Sequence, residues 1–148
     1  MITELISSTE DVIQFIPQRE PIVMVDCLYD IDIENLTAKS GLTIVEENIF
    51  VKNNKLSYGG VIEHIAQSIA LKSGYMGNLK SGNGKSSKGY IAAVKNMKYL
   101  NNIRIGDKLI TEIKVVTQFQ QISVVDAEVR KGNDLMASAQ LQIFQIIE

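Results

Sequence analysis

The chain has 148 residues, 45% hydrophobic and 22% charged, which predicts one globular domain over 1–148 with a single substantial core. A formal charge of −2 lacks the basic footprint of a nucleic-acid binder, and one histidine with one cysteine supplies neither a zinc-ligand pattern nor an internal disulfide. Apolar runs of only a few residues predict no membrane span, and the start Met1-Ile2-Thr3-Glu4-Leu5-Ile6 lacks the basic and long apolar parts of a secretory signal, so the cytoplasm is the expected compartment.

In chain order, Ser7 to Thr9 are candidate caps for a short helix with Glu10 and Asp11 at its positive end, and Pro17 stops it. Its apolar face is Val12, Ile13, Phe15 and Ile16. The β-branched run Ile22–Tyr29 reads as a strand, with Cys27 as a small buried or edge residue. A turn at Glu34-Asn35 leads to a returning strand, Leu36–Ile44. After the short segment Ile49-Phe50-Val51, a loop rich in Asn and Lys reaches Gly59-Gly60.

The helix that follows is expected from about Val61 to Ser73, with Ile62, Ile65, Ala66, Ile69 and Ser73 on one face and Gly74 and Gly77 ending it. Ala66, Ser68, Ala70 and Ser73 are small enough to let something pack closely around it. Residues 82–89 form a flexible loop by composition. Gly82-Asn83-Gly84-Lys85-Ser86 is not a phosphate-binding loop, because Leu79 stands where that pattern needs glycine and a strand follows instead of a helix. Strands are predicted at Gly89–Leu100, Lys108–Phe119, Ile122–Arg130 and Leu135–Ile147, with Ala137, Ala139, Leu141 and Ile143 on the buried face of the last. Runs of strands around one long helix, without βαβ alternation, argue for an α+β antiparallel sheet wrapped around that helix.

The residue that asks for an explanation is Glu63, a carboxylate placed by this reading in the first turn of a largely apolar helix. It is either an N-terminal charge answering the helix dipole or an active-site group. Gln67, one turn on, can hydrogen-bond to it, or can close a helix–sheet contact. His64 is expected at a surface or interface and is a candidate base, although neighbouring helical residues point about 100° apart and cannot face one atom alike. Tyr58 at the helix entry is a candidate binding residue or simple packing. Asn48, Asn53 and Asn54 are candidates for positioning a water or a substrate oxygen, or turn formers.

Three motifs in order resemble the hotdog fold, and within it the 3-hydroxyacyl-acyl-carrier-protein dehydratases of the FabZ and aryl-polyene types. Ile16-Pro17-Gln18-Arg19-Glu20-Pro21-Ile22-Val23-Met24-Val25-Asp26 resembles the family's L-P-H-R-x-P-x-L-L-V-D entry segment. Glu63-His64-Ile65-Ala66-Gln67 resembles its E-x-M-A-Q helix, and Val94–Tyr99 followed by Gly106-Asp107-Lys108-Leu109 resembles its strand and G-D-x-L turn. The resemblance implies an α+β hotdog domain, usually paired edge to edge as a homodimer. It implies a substrate carried on the phosphopantetheine of acyl carrier protein or on coenzyme A, and no further cofactor. It assigns Glu63 to the leaving hydroxyl of a 3-hydroxyacyl thioester, with Gly59, Gly60, Tyr58, Gln67 and Asn53 near the substrate and backbone N–H groups around Gly60 polarising the carbonyl.

Two family histidines are absent: Gln18 stands at one position, and the shortened stretch Phe50–Tyr58 contains none at the other. The resemblance therefore leaves three readings open: a dehydratase, a thioesterase using Glu63, or an acyl-binding subunit paired with a histidine-bearing relative. Lys80, Lys85, Lys88, Lys95 and Lys98 are candidates for steering an acidic carrier protein.

Overall fold

The computed structural model describes residues 5–81 and 88–146. Its elements are α1 (Thr9–Val12), β1 (Cys27–Asp32), β2 (Thr37–Thr43), β3 (Val51–Lys52), β4 (Lys55–Leu56), α2 (Tyr58–Ser81), β5 (Lys88–Tyr99), β6 (Lys108–Phe119), β7 (Ile122–Lys131) and β8 (Asp134–Ile146). Six strands form one antiparallel sheet in the order β1-β2-β6-β7-β8-β5, with β3 and β4 as a separate hairpin. Residues 82–87, expected as a glycine-rich loop, lie outside the described residues.

The alternation that marked the last four strands does what a half-buried sheet requires. On β7 and β8, Val125, Ala127, Val129, Ala137, Ala139, Leu141 and Ile143 are buried against the helix side, while Asp126, Glu128 and Arg130 face solvent. Helix α2 covers that inner face with Val61, Ile65 and Ile69. A second cluster joins its Leu71 to Val12, Ile16, Val23, Val25 and Leu28 of the N-terminal third. The G-D-x-L stretch is a tight turn: Asp107 N–H donates to Arg104 O at 3.0 Å, with Gly106 at φ +93°. Burial pushes the Asp107 carboxyl up, but Lys131 Nζ at 2.8 Å and the Arg104 N–H at 2.8 Å more than offset this and hold it below the usual carboxylate range.

Three expected boundaries move, each for a physical reason. Helix α1 stops after four residues, capped at Ser8 Oγ by the Asp11 N–H. The strand expected from Ile22 begins only at Cys27, because the backbone groups of Ile22 and Met24 are taken by side chains of α2 instead of a neighbouring strand. Helix α2 starts at Tyr58 and runs through both Gly74 and Gly77. Ser57 caps it, its Oγ accepting from Gly60 N–H at 3.1 Å and its O from Val61 N–H at 3.1 Å. Gly74 does not end the helix, because its missing side chain makes room for the Phe15 backbone. The buried stripe is also rotated from the expected one: Val61, His64, Ile65, Ser68, Ile69 and Leu71 are buried, while Ile62, Ala66 and Ser73 are half-buried.

Candidate functional site

With α2 beginning at Tyr58, Glu63 falls in the second turn, where the helix dipole has largely faded. The reading of Glu63 as a simple N-terminal charge loses its basis. Glu63 instead heads a stripe with Ala66, Ala70 and Ser73, at spacings of three and four residues, along the wall of a cavity of about 240 Å³. Ile91 of β5 and Ile143 of β8 face this stripe, and Pro17 and Gln18 border the same space. The small residues of the helix are thus the reason that a cavity exists there.

Glu63 is held in a defined orientation. Its Oε1 accepts from Gln67 Nε2 at 2.8 Å, and among the described residues this is its one recorded hydrogen bond. Gln67 is buried and fully engaged: Nε2 also donates to Ile22 O at 2.8 Å, and Oε1 accepts from Met24 N–H at 2.6 Å. The carbonyl and the N–H of that segment together fix which end of the amide is nitrogen. One carboxylate oxygen is therefore spent on positioning and the other is left for a ligand. Glu63 is the only carboxylate on the cavity wall, and no histidine or lysine stands there among the described residues.

His64, expected at a surface or interface, is instead completely buried, because the 100° step along the helix turns it into the core while Glu63 faces the cavity. Its Nδ1 lies 2.6 Å from Met24 O and its Nε2 2.7 Å from Thr111 Oγ1. A carbonyl only accepts, so Nδ1 carries the proton and Nε2 takes the Thr111 hydroxyl hydrogen. Both nitrogens are committed to the fold, which leaves none for a substrate. Desolvation by burial pushes its pKa below the ordinary histidine value, against the opposing pull of the Met24 carbonyl and Asp26. The folded state thus resists a proton that the unfolded chain accepts. Stability is expected to be full above about pH 6.5 and to fall as pH drops below it. Urea midpoints at pH 7.5 and pH 5.5 check this: wild type should lose more across that interval than His64→Gln, which cannot titrate.

The remaining sequence candidates separate. Gly60 is buried, and a Cβ there would lie 2.7 Å from both Leu56 Cδ1 and Phe50 Cβ, so glycine serves a close approach. Its N–H donates to Ser57 Oγ at 3.1 Å, so among the amides around Gly60 this one is engaged within the helix cap. Gly59 is exposed in the first turn. Tyr58 is 56% exposed and meets Tyr99 edge-on at 5.1 Å, away from the cavity lining. Asn53 and Asn54, at φ +54° and +60°, make the two-residue turn between β3 and β4, which needs positive φ at both central positions. Asn48 caps its own loop through Phe50 N–H at 2.9 Å. Gln18 and the Ala66–Ala70–Ser73 wall were not singled out as site residues by spacing, because only the fold brings Gln18 to the helix.

No group of three or more His, Cys, Asp or Glu able to hold a metal occurs among the described residues. No helix among them is long and apolar enough to cross a membrane.

Comparison with known proteins places this arrangement. The chain is 29% identical over 143 residues to the 3-hydroxyacyl-[acyl-carrier-protein] dehydratase FabZ of Lactococcus lactis subsp. cremoris strain MG1363, covering 95% of this chain and 96% of that one. Among solved structures, the dehydratase heterocomplex ApeI:P from Xenorhabdus doucetiae superposes with a TM-score of 0.81 at 15% identity, over 93% of this chain and 91% of that one. The PaaI protein of E. coli, from the phenylacetic acid degradation operon, gives a TM-score of 0.59 at 15% identity, over 79% and 80%. The fold is the α+β hotdog, a sheet wrapped around one long helix. The ApeP-like family model, described as ApeP dehydratase, matches residues 10–148, and the chain belongs to that family of dehydratases.

Proposed function

We propose that this chain dehydrates 3-hydroxyacyl thioesters carried on acyl carrier protein, within a composite site whose base comes from a second hotdog subunit. The observation that carries the reading is Glu63 on the cavity wall, anchored through one oxygen by Gln67. In the reaction a base takes the proton from C2, the C3–O bond breaks, and Glu63 delivers a proton to the departing hydroxyl, giving a 2-enoyl thioester and water. The step is redox-neutral and requires no electron carrier. The apolar stretch Ala66, Ile69, Ala70 and Ile143 suits the acyl chain beyond C3.

The base is the missing part. A second copy of this chain brings only another His64, buried and hydrogen-bonded on both nitrogens, so self-pairing supplies no histidine. A related subunit with a free histidine does, and the relative ApeI:P is itself a heterocomplex. The outermost strand β5 offers an edge for such pairing, with Tyr90, Ile91 and Val94 exposed beside an unpaired ladder. Lys95 and Lys98 on the same strand are exposed and suit an acidic carrier.

The test is a 3-hydroxyacyl thioester assay of the chain alone and with a histidine-bearing hotdog relative co-purified with it. Water loss only in the pair supports the composite site. Water loss by the chain alone removes the need for a partner base. Release of free thiol marks a thioesterase, and acyl binding without turnover in either sample leaves an acyl-binding subunit.

A further inference from the structure

The segment Ile22–Met24 lies outside the sheet, and side chains of α2 hold it in place of a neighbouring strand. Backbone bonds fasten it only at its two ends, Ile22 N–H to Arg19 O at 3.0 Å and Asp26 N–H to Gly41 O at 3.0 Å. Ile22 O and both backbone groups of Met24 go to the helix. Gln67 Nε2 donates to Ile22 O at 2.8 Å and Gln67 Oε1 accepts from Met24 N–H at 2.6 Å, while His64 Nδ1 donates to Met24 O at 2.6 Å. His64 is anchored in turn on β6, where Nε2 accepts from Thr111 Oγ1 at 2.7 Å. Asn48 Nδ2 meets Met24 Sδ at 3.2 Å, which holds the side chain but leaves the backbone to His64 and Gln67. Both of these helix side chains are fully buried, so solvent offers no replacement for a lost partner.

The hydrogen bonds run unbroken from the sheet to the cavity wall: the Thr111 hydroxyl, the His64 ring, the Met24 backbone, the Gln67 amide and Glu63 Oε1. The Gln67 amide has no freedom within this chain. Its nitrogen spends one hydrogen on Ile22 O and the other on Glu63 Oε1, and its oxygen faces Met24 N–H. A displaced Met24 therefore turns the amide that orients Glu63.

We infer that His64 is a positioning residue for the Glu63 carboxylate, acting through Met24 and Gln67 without touching substrate. This rests on the dehydratase reading above and adds to it the residue that fixes the angle of the acid. Adjacent in sequence, the two side chains point about 100° apart, so the coupling passes through the N-terminal segment and not directly between them. One tautomer is required. Nδ1 must keep its hydrogen for the Met24 carbonyl, and the Thr111 hydroxyl enforces this by donating to Nε2. Without the Met24 contact the carboxylate stays in the cavity but loses its aim, so turnover suffers before binding does.

Two substitutions divide the ring into its halves. His64→Asn places an amide near the position of Nδ1 and keeps a donor for Met24, whereas His64→Gln reaches toward Thr111 and gives that donor up. With the histidine-bearing relative present, His64→Gln should lose about ten- to hundredfold in kcat and leave KM within about twofold. His64→Asn should keep most of the wild-type kcat. Ile65→Val deletes one buried methyl beside His64 and no hydrogen bond, so it should lower stability and leave kcat unchanged. Nitrogen NMR of the purified chain reads the same contacts without turnover. At neutral pH the wild-type ring should show a protonated Nδ1 and a bare Nε2, and the Gln67 side-chain amide should exchange faster in His64→Gln than in wild type or His64→Asn. The opposite tautomer, equal kcat losses in His64→Gln and His64→Asn, or a loss in Ile65→Val as large as in His64→Gln overturns the inference. Should His64→Gln fail to fold, a protonated Nδ1 with retained turnover in His64→Asn upholds it, and the absence of either overturns it. A wild type inactive with and without the relative removes the dehydratase reading, and the amide exchange then decides alone: faster in His64→Gln upholds the positioning, unchanged overturns it.

Discussion

Gly74→Ala should destabilise the fold by about 3 kcal/mol, at the upper end of the range for overpacking a closely packed interior. Helix propensity points the other way, since alanine is favoured over glycine in a helix interior by about 1 kcal/mol. Packing decides because the new methyl would be placed inside the contact distance of the Phe15 carbonyl oxygen and close to the Phe15 carbonyl carbon. Those are backbone atoms, which cannot swing aside as the tip of a side chain can. Nor is the Phe15 segment free to retreat. Ile16 and Val12 on either side of it are buried in the cluster that holds Leu71 of the same helix, and the Phe15 ring sits 5.5 Å from Tyr75. Relief would open that cluster and shift Pro17 and Gln18 off the cavity wall. Urea unfolding followed by circular dichroism gives the number. Gly59→Ala is the control, because a Cβ there meets only Ser57 Oγ at 3.9 Å, and it should be neutral or slightly stabilising. A stable Gly74→Ala protein would mean that the helix and the N-terminal segment are not locked together as described.

Gly74 also shows where the sequence was legible and where it was not. Strand β6 falls on the predicted Lys108–Phe119, and β5, β7 and β8 lie within one residue of prediction, because period-two alternation and short turns are local signals. A glycine late in a helix carries two local meanings, a terminator or a place of close approach. The backbone that decides between them belongs to Phe15, far away in sequence. The same limit applies to the strand expected at Ile22. Its apolar pattern is strand-like, but its hydrogen bonds go to Gln67 and His64, which no local pattern reveals. His64 escaped for a related reason, since a polar residue in the core is satisfied only by distant partners, here Met24 and Thr111. The Glu63–Gln67 pair was legible, being one helical turn apart. Gln18 on the same cavity wall was not, because that cavity is made by packing.

Glu63→Gln should leave the fold intact and remove dehydration by about two to four orders of magnitude, the usual worth of a positioned general acid. The substitution is nearly isosteric, and its amide oxygen can still accept from Gln67 Nε2, so the contact that orients the side chain survives. Ile22, Met24 and Gln67 keep their bonds, and the unfolding free energy from urea titration should stay within about 0.5 kcal/mol of wild type. What is lost is the ability to hand over a proton, because a carboxamide does not ionise in this range. The loss should appear in kcat more than in KM, since the substrate hydroxyl can still hydrogen-bond to the amide. The measurement is dehydration of a 3-hydroxyacyl thioester by the chain together with the histidine-bearing hotdog relative proposed above as its partner, because a silent wild type leaves nothing to lose. A purely structural Glu63 predicts the reverse pattern, with unchanged turnover in the complex. Retained activity in Glu63→Gln would transfer the acid role to the partner subunit and leave this chain to hold the acyl group.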